Sequence, residues 1–128
     1  MQPRHRRAAL LAALALAALA CGPLRRGGGR PDAVIIFNNQ SLAQADVFAV
    51  SSGGTRYRVG TVFAGRRDTL RVPSGAMGGG STVSFVARLL ATRGTPSSGP
   101  VTILPGDTLE VTLPSDGKLL GVLPARQP

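Results

Sequence analysis

Apolar and polar residues alternate along most of the chain after residue 32, as in β-strands that have one buried and one exposed face. The clearest example is residues 108–113, where every second residue is Leu or Val and Glu110 and Thr112 are among the residues between them. Segments of this kind predict seven strands. They comprise residues 34–37, 46–50, 57–63, 67–72, 82–91, 101–104 and 108–113.

Turn-forming residues separate the predicted strands. Clusters that contain Gly, Pro or Ser lie at residues 51–54, 64–66, 73–81, 95–100 and 105–107. Helix-favouring residues gather only within residues 40–50, and they are too few for more than one turn. The apolar residues 119–123 are either an additional edge strand or an arm packed across a sheet end.

Short strands at this spacing, within about one hundred residues, are typical of a β-sandwich. We therefore predict an all-β fold: a single immunoglobulin-like or transthyretin-like β-sandwich of about seven strands over residues 32–128. Both faces of the first two strands are apolar, so the face that points inward stays open there. The residues taken as core are Val34, Ile36, Val47, Tyr57, Val59, Leu70, Val72, Phe85, Ile103, Leu109 and Val111.

Composition agrees with this fold. The chain has 128 residues, which is room for one domain, and 43% of them are apolar and 16% charged. Gly and Pro number 17 and 10, which are too many for a helical bundle and suit short strands joined by turns.

The first twenty residues have the features of a secretory signal sequence. Arg4, Arg6 and Arg7 precede an unbroken run of thirteen Ala and Leu residues at 8–20. This run is shorter than the roughly 20 residues of a membrane-spanning helix, and no second apolar run follows. We expect residues 1–20 to be a signal helix that is cleaved.

Cys21, the single cysteine of the chain, directly follows the apolar run. Residues 16–21, Leu-Ala-Ala-Leu-Ala-Cys, resemble the lipobox of bacterial lipoproteins. The resemblance implies cleavage between Ala20 and Cys21, acylation of Cys21 with palmitate-like chains, and a lipid anchor in a membrane of the cell envelope. Gly22 after the cysteine favours the periplasmic side of an outer membrane. Residues 18–20 are also an A-x-A site for ordinary signal peptidase, which would release a secreted protein.

Most of the positive charge lies outside the predicted domain. The chain has 15 basic and 6 acidic residues, and loss of three arginines with the signal leaves 12 against 6. Three more arginines lie in residues 21–31, a Gly-, Pro- and Arg-rich segment that we interpret as a lipidated cysteine followed by a flexible tether. The domain from Asp32 keeps nine basic and six acidic residues, so its charge of +3 does not indicate nucleic-acid binding.

The residues left in the domain exclude the common catalytic units. His5, the only histidine, lies in the predicted signal, so Ser-His-Asp, Cys-His and imidazole–zinc arrangements are not available. The glycine-rich residues 75–82 lack the lysine and the helix of a phosphate-binding loop. We therefore predict no catalytic residue, metal or cofactor, and a pair of carboxylates is the one hydrolytic arrangement left open.

The candidate binding residues are five arginines around the third and fourth predicted strands. We predict that these strands form a basic hairpin, on which the five side chains would share one exposed surface that suits anionic lipid, lipopolysaccharide phosphates or an acidic envelope protein. The alternative is that they only oppose edge-to-edge association and keep the domain soluble. They are Arg56, Arg58, Arg66, Arg67 and Arg71.

The order of Asn38-Asn39, Gly53-Gly54, residues 57–62 and Pro105-Gly106-Asp107 is similar to that of small, uncharacterised β-rich lipoproteins of the bacterial envelope. That resemblance implies fold and location. With catalytic units eliminated, we expect a lipid-anchored, non-enzymatic binding or assembly module. Residues 45–50 with the glycine turn also resemble carboxypeptidase regulatory-like domains, although the Thr-Asp-x-x-Gly turn is missing. Such an accessory domain, or a secreted soluble sandwich with a carboxylate-based hydrolase activity, is the alternative.

Overall fold

The structure, a computed structural model, describes residues 29–78 and 82–125. Within these residues, eight strands form two four-stranded sheets, and the predicted all-β sandwich is confirmed. The elements are β1 (Ala33–Asn39), β2 (Ala45–Ser51), β3 (Arg56–Val62), β4 (Arg67–Val72), α1 (Ser74–Met77), β5 (Thr82–Leu89), β6 (Ser97–Thr102), β7 (Thr108–Leu113) and β8 (Gly121–Pro124).

Each sheet combines strands that are distant in sequence. Sheet I has the order β4-β1-β7-β8 and sheet II the order β3-β2-β5-β6. The pairs are antiparallel except for β1 and β7, which are parallel. Since β1 and β2 lie in different sheets, the chain crosses the sandwich at its first loop, and it crosses again between β3 and β4, between β4 and β5, and between β6 and β7.

The buried face of β1 is opposite to the predicted one. Ile35 and Phe37 are fully buried, whereas Val34 and Ile36 are only half-buried, so the prediction that the latter pair forms the core is wrong. Burial of the large Phe37 ring removes more apolar surface from water, and Asn39 on the same face makes buried hydrogen bonds. Neighbouring strands of sheet I partly cover Val34 and Ile36.

The other core predictions are confirmed. Six of the predicted core residues are buried and three pack against the core while partly exposed. In β2 the open question is resolved, because Ala45, Val47 and Ala49 face inward and Phe48 and Val50 outward. The six are Val47, Val72, Phe85, Ile103, Leu109 and Val111, and the three are Tyr57, Val59 and Leu70.

Several strand ends differ from the prediction by one or two residues, and three differences are larger or add an element. Strand β6 begins at Ser97 instead of residue 101. In the sequence, Pro100 indicates a turn, but an edge strand tolerates a proline and the register shift that accompanies it. Residues 121–124 pair with β7, so the edge-strand alternative for the C-terminal segment is confirmed. Part of the loop predicted at 73–81 is the helical turn α1, which buries Ala76 and Met77.

A buried amide joins the two sheets at one end of the sandwich. Asn39 is fully buried, and its Nδ2 donates to the carbonyls of Ala43 (2.8 Å), Val62 (3.1 Å) and Phe63 (3.1 Å). Its Oδ1 accepts from the backbone N–H (3.0 Å) and hydroxyl (2.7 Å) of Ser41. The amide of a sheet I strand therefore holds the end of β3 and the approach to β2, both in sheet II.

We expect Asn39→Ala to lower the free energy of unfolding by about 2–4 kcal/mol, because it leaves buried carbonyls without their donor. Urea denaturation followed by circular dichroism measures this loss. Asn38→Ala, at the adjacent outward-facing position, is the matched control and should cost less than about 1 kcal/mol. Equal losses in the two variants would contradict a special role for the buried amide.

Candidate functional site

The predicted basic hairpin does not exist. Strands β3 and β4 are edge strands of different sheets, so the prediction that they pair is wrong. They face each other across the core instead, where Leu70 of β4 packs onto Gly60 of β3 so closely that a Cβ on Gly60 would lie 2.7 Å from Leu70 Cδ2. A short turn serves a hairpin and a crossover equally well, and the sequence does not distinguish them.

The crossover divides the five arginines among three places. Arg56 and Arg58 lie on the outer face of sheet II, since Tyr57 and Val59 between and beside them pack on the core. On β4 the inward residues are Leu70 and Val72, and the alternate residues on the outer face of sheet I include Arg67 and Arg71. Arg66 lies in the crossover turn. All five are exposed, but they do not share one surface.

The outer face of sheet II has an ionic cluster centred on Asp46 of β2. Arg58 of β3 contacts Asp46 Oδ1 at 3.1 Å, and Arg88 of β5 contacts Oδ2 at 3.0 Å. The hydroxyl of Thr61 donates to Oδ1 at 2.6 Å and accepts from Arg58 Nη2 at 2.6 Å. Asp46 is almost fully buried beneath these groups. Sequence reasoning missed Arg88, because only the strand register brings it beside Asp46.

These partners change the acidity of Asp46. Hydrogen bonds from Thr61 and Arg58 lower its pKa from 3.8 to about 2, against the opposing effect of desolvation, with a further contribution from Arg88. Asp46 therefore stays ionised and partly neutralises the arginine pair. The cluster holds three strands together on their exposed face.

Other arginines also have structural partners. The guanidinium of Arg56 lies 5.4 Å from the centre of the Phe48 ring, and Arg67 contacts Glu110 at 3.3 Å. Among the described residues, Arg56, Arg66 and Arg71 form no salt bridge. On the sheet faces, Arg56 thus covers a half-buried aromatic ring, and Arg58, Arg67 and Arg88 form ion pairs with carboxylates.

A different set of exposed residues gathers at one end of the sandwich. We call this the far end, because it lies opposite the point where the described chain enters β1. It consists of four connections: residues 40–44, 63–66, 90–96 and 114–120. Each exposes one large apolar side chain, and Leu42 is exposed to 98%. The four side chains are Leu42, Phe63, Leu90 and Leu119.

Hydrogen bonds hold the far-end connections together. The Asn39 amide binds the carbonyls of Ala43 and Phe63. The backbone N–H of Leu90 donates to Gln44 O at 3.0 Å, and that of Leu120 to Ser97 O at 3.3 Å. A cleft of about 400 Å³ lies between three of the connections, lined by Ser41, Leu42, Ala43, Leu89, Ala91, Thr92, Gly94, Ser115, Asp116 and Gly117.

Sequence reasoning assigned these apolar residues elsewhere. It placed Phe63 and Leu90 inside strands, Leu42 in a possible helical turn and Leu119 in an edge strand or arm. The available indication was their position beside turn-forming residues, where the alternating pattern has already ended. Alternation alone does not show that such a residue lacks a partner.

Several predicted features lie outside the described residues. These are the signal at 1–20, the cleavage and acylation site at Ala20 and Cys21, and the tether up to residue 28. In residues 29–78 and 82–125, no three metal-ligating side chains come together. No helix of that same part of the chain is long and apolar enough to cross a bilayer.

Comparison with known proteins identifies no family for this chain. No protein-family model matches the chain. No curated protein matches it. A similar solved structure is an NMR structure of a protein from Eubacterium rectale, with a TM-score of 0.48 and 10% identity over 77% of this chain and 93% of that one.

We expect the ionic cluster to make stability depend on pH in the acid range. The pKa of Asp46 is lowered in the folded chain, so its stabilising effect is complete above pH 3.8 and is lost as pH falls towards about 2. The difference in unfolding free energy between wild type and Asp46→Asn should therefore shrink over that interval. Urea denaturation at several pH values measures it, and Asp68→Asn on the exposed edge strand is the control. A difference that is constant with pH would contradict the cluster's role.

Proposed function

We propose that this chain is a lipid-anchored, non-enzymatic binding module of the bacterial cell envelope, held in a membrane by Cys21. The basic start, the apolar run and the lipobox-like residues 16–21 support the anchor. The observation that carries the binding role is the far end, where connections from both sheets expose apolar side chains that the fold itself does not use.

The position of the far end suits an anchored module. The chain enters β1 at Ala33, and β1 runs from that end of the sandwich to Asn39 at the far end, about 24 Å for seven residues. If residues 22–31 form the tether that the sequence predicts, they add a root-mean-square reach of roughly 17 Å. Fully extended, ten residues span at most about 33–36 Å, which exceeds the length of β1, so the far end of an anchored chain is able to reach the same bilayer.

The acidic residues support a role other than hydrolysis. Asp46 and Glu110 are engaged by arginines. Three others accept hydrogen bonds from backbone N–H groups: Asp32 from Ser74, Asp107 from Leu104 and Asp116 from Lys118. These carboxylates stabilise cross-strand contacts and turns. Asp68 is the sixth acidic residue, so a catalytic pair on this domain would include at least one carboxylate that already has a structural partner.

The five arginines have two different roles in this proposal. Those on the sheet faces, Arg56, Arg58, Arg67 and Arg71, keep exposed strands soluble and oppose edge-to-edge association. Arg66 lies beside Phe63 in the crossover turn and belongs to the far end. An anionic lipid or an acidic envelope protein remains the expected class of partner.

The anchor is tested by intact mass of the protein from cell envelopes. We expect loss of residues 1–20 together with an increment for a diacylglyceryl group and further acylation. Ordinary signal peptidase, acting at the A-x-A site, would cut the same bond, so the acyl mass distinguishes the two processes.

Cys21→Ser should leave the chain unprocessed and without acyl mass, because the thiol is the acyl acceptor. Gly27→Ser, within the tether, is the control and should be processed like the wild type. A soluble periplasmic chain that begins at Cys21 and has a titratable thiol would contradict the proposal.

A further inference from the structure

We infer that the far end inserts its four apolar tips into the interface of an anionic lipid bilayer, as a lipid contact separate from the acyl anchor. This inference goes beyond the proposed attachment through Cys21, and it stands on the described residues alone. The tips are Leu42, Phe63, Leu90 and Leu119.

The exposed apolar side chains are unevenly distributed. Six large apolar residues are exposed in the described part of the chain, and four of them are the far-end tips. The other two are Leu104, in the connection between β6 and β7, and Leu123 on β8. Apolar side chains that protrude singly from neighbouring loops can enter the headgroup and upper acyl region without a shaped pocket to receive them.

The charges at the far end complement an anionic surface. In three connections, a basic side chain follows or precedes the apolar tip: Arg66 with Phe63, Arg93 with Leu90, and Lys118 with Leu119. Asp116 is the single acidic residue there, so the net charge is +2. Basic residues beside an inserted apolar residue keep their ends at the headgroup level, where anionic lipids attract them.

The opposite end of the sandwich lacks this combination. The described residues of its connections include Arg30, Asp32 and Asp107, a net charge of −1, and they expose Leu104 as their only large apolar side chain. Lipid contact is therefore expected at the far end alone.

The far end is also held in place before it meets a bilayer. The Asn39 amide and the hydrogen bond from Leu90 N–H to Gln44 O fix the connections. Few backbone residues therefore lose conformational freedom when the tips insert, which lowers the entropic cost of insertion. The adjoining cleft is lined largely by apolar residues such as Leu42, Ala43 and Leu89, with Ser41, Thr92 and Asp116 among the others.

The test uses the full chain in vesicles, with Cys21→Ser so that one new cysteine can be labelled. An environment-sensitive fluorophore is placed at Leu42→Cys, or at Ser52→Cys in the exposed turn at the opposite end. Both forms keep residues 1–20, so binding through that segment affects both labels. Phosphatidylglycerol–phosphatidylcholine vesicles should give a blue shift and quenching by brominated lipid at position 42 and little at position 52.

The charges are tested by substitution. The double variant Arg66→Gln and Lys118→Gln should lower the ratio of protein with an inserted far end to free protein about 25-fold, because each charge removed lowers that ratio about fivefold. Arg56→Gln with Arg71→Gln removes the same charge from the sheet faces and should change the ratio less than twofold. Leu90→Ser should weaken insertion, whereas Leu104→Ser should not, although both leucines are exposed to 54%.

Two results would overturn the inference. One is a label at position 42 that stays in water while the chain sediments with anionic vesicles, which would leave a protein as the partner of the far end. The other is equal quenching at positions 42 and 52. Lipidation is read separately, from the mass of the wild-type protein in envelopes, so failure of either proposal is recognised without the other.

Discussion

The side-chain amide of Asn39 connects parts of this sandwich that its sheets leave unconnected. Asn39 ends β1 in sheet I, and the carbonyls that it binds, Val62 and Phe63, lie at the end of β3 in sheet II or just beyond it. Its backbone N–H also donates to Arg66 O at 2.8 Å, so one residue fixes both ends of the crossover turn. A buried amide is costly unless every polar atom is paired, and pairing here requires one arrangement of the connections. Phe63 and Leu42 lie in the two connections that this amide holds.

Alternation of apolar and polar residues predicted strands well where only one face is apolar. Strands β4 and β7 have the predicted bounds, and the inward residues of β7 are those expected. It failed at β1, where both faces are apolar and the choice depends on what each face meets. Alternation also says nothing about neighbours, since it relates a side chain to its own strand only. The parallel pairing of β1 with β7 and the separation of β3 from β4 depend on contacts between distant parts of the chain.

The same limit explains the candidate site. The sequence correctly placed the arginines in exposed positions, but the sheet to which each strand belongs decides which outer face it occupies. Nothing in the sequence pairs Asp46 with an arginine, and it is the register of β2 with β3 and β5 that sets it between Arg58 and Arg88. An acid that neutralises two arginines makes that face less suited to an anionic partner than a count of arginines suggests. The apolar tips were missed for the opposite reason, because an apolar residue is assumed to be buried until the fold shows otherwise.

The two kinds of exposed residue differ in what the fold gains from them. Arginines on the sheet faces contribute ion pairs and cover apolar neighbours, so stability and solubility account for them. Leu42 gains almost no burial and adds nothing to the core, while it increases the exposed apolar area and with it the tendency to aggregate. Basic residues beside the other tips counter that tendency in solution, and the same charges would favour an anionic surface. A residue that costs solubility and returns no stability is therefore better explained by contact with something outside the chain than by folding.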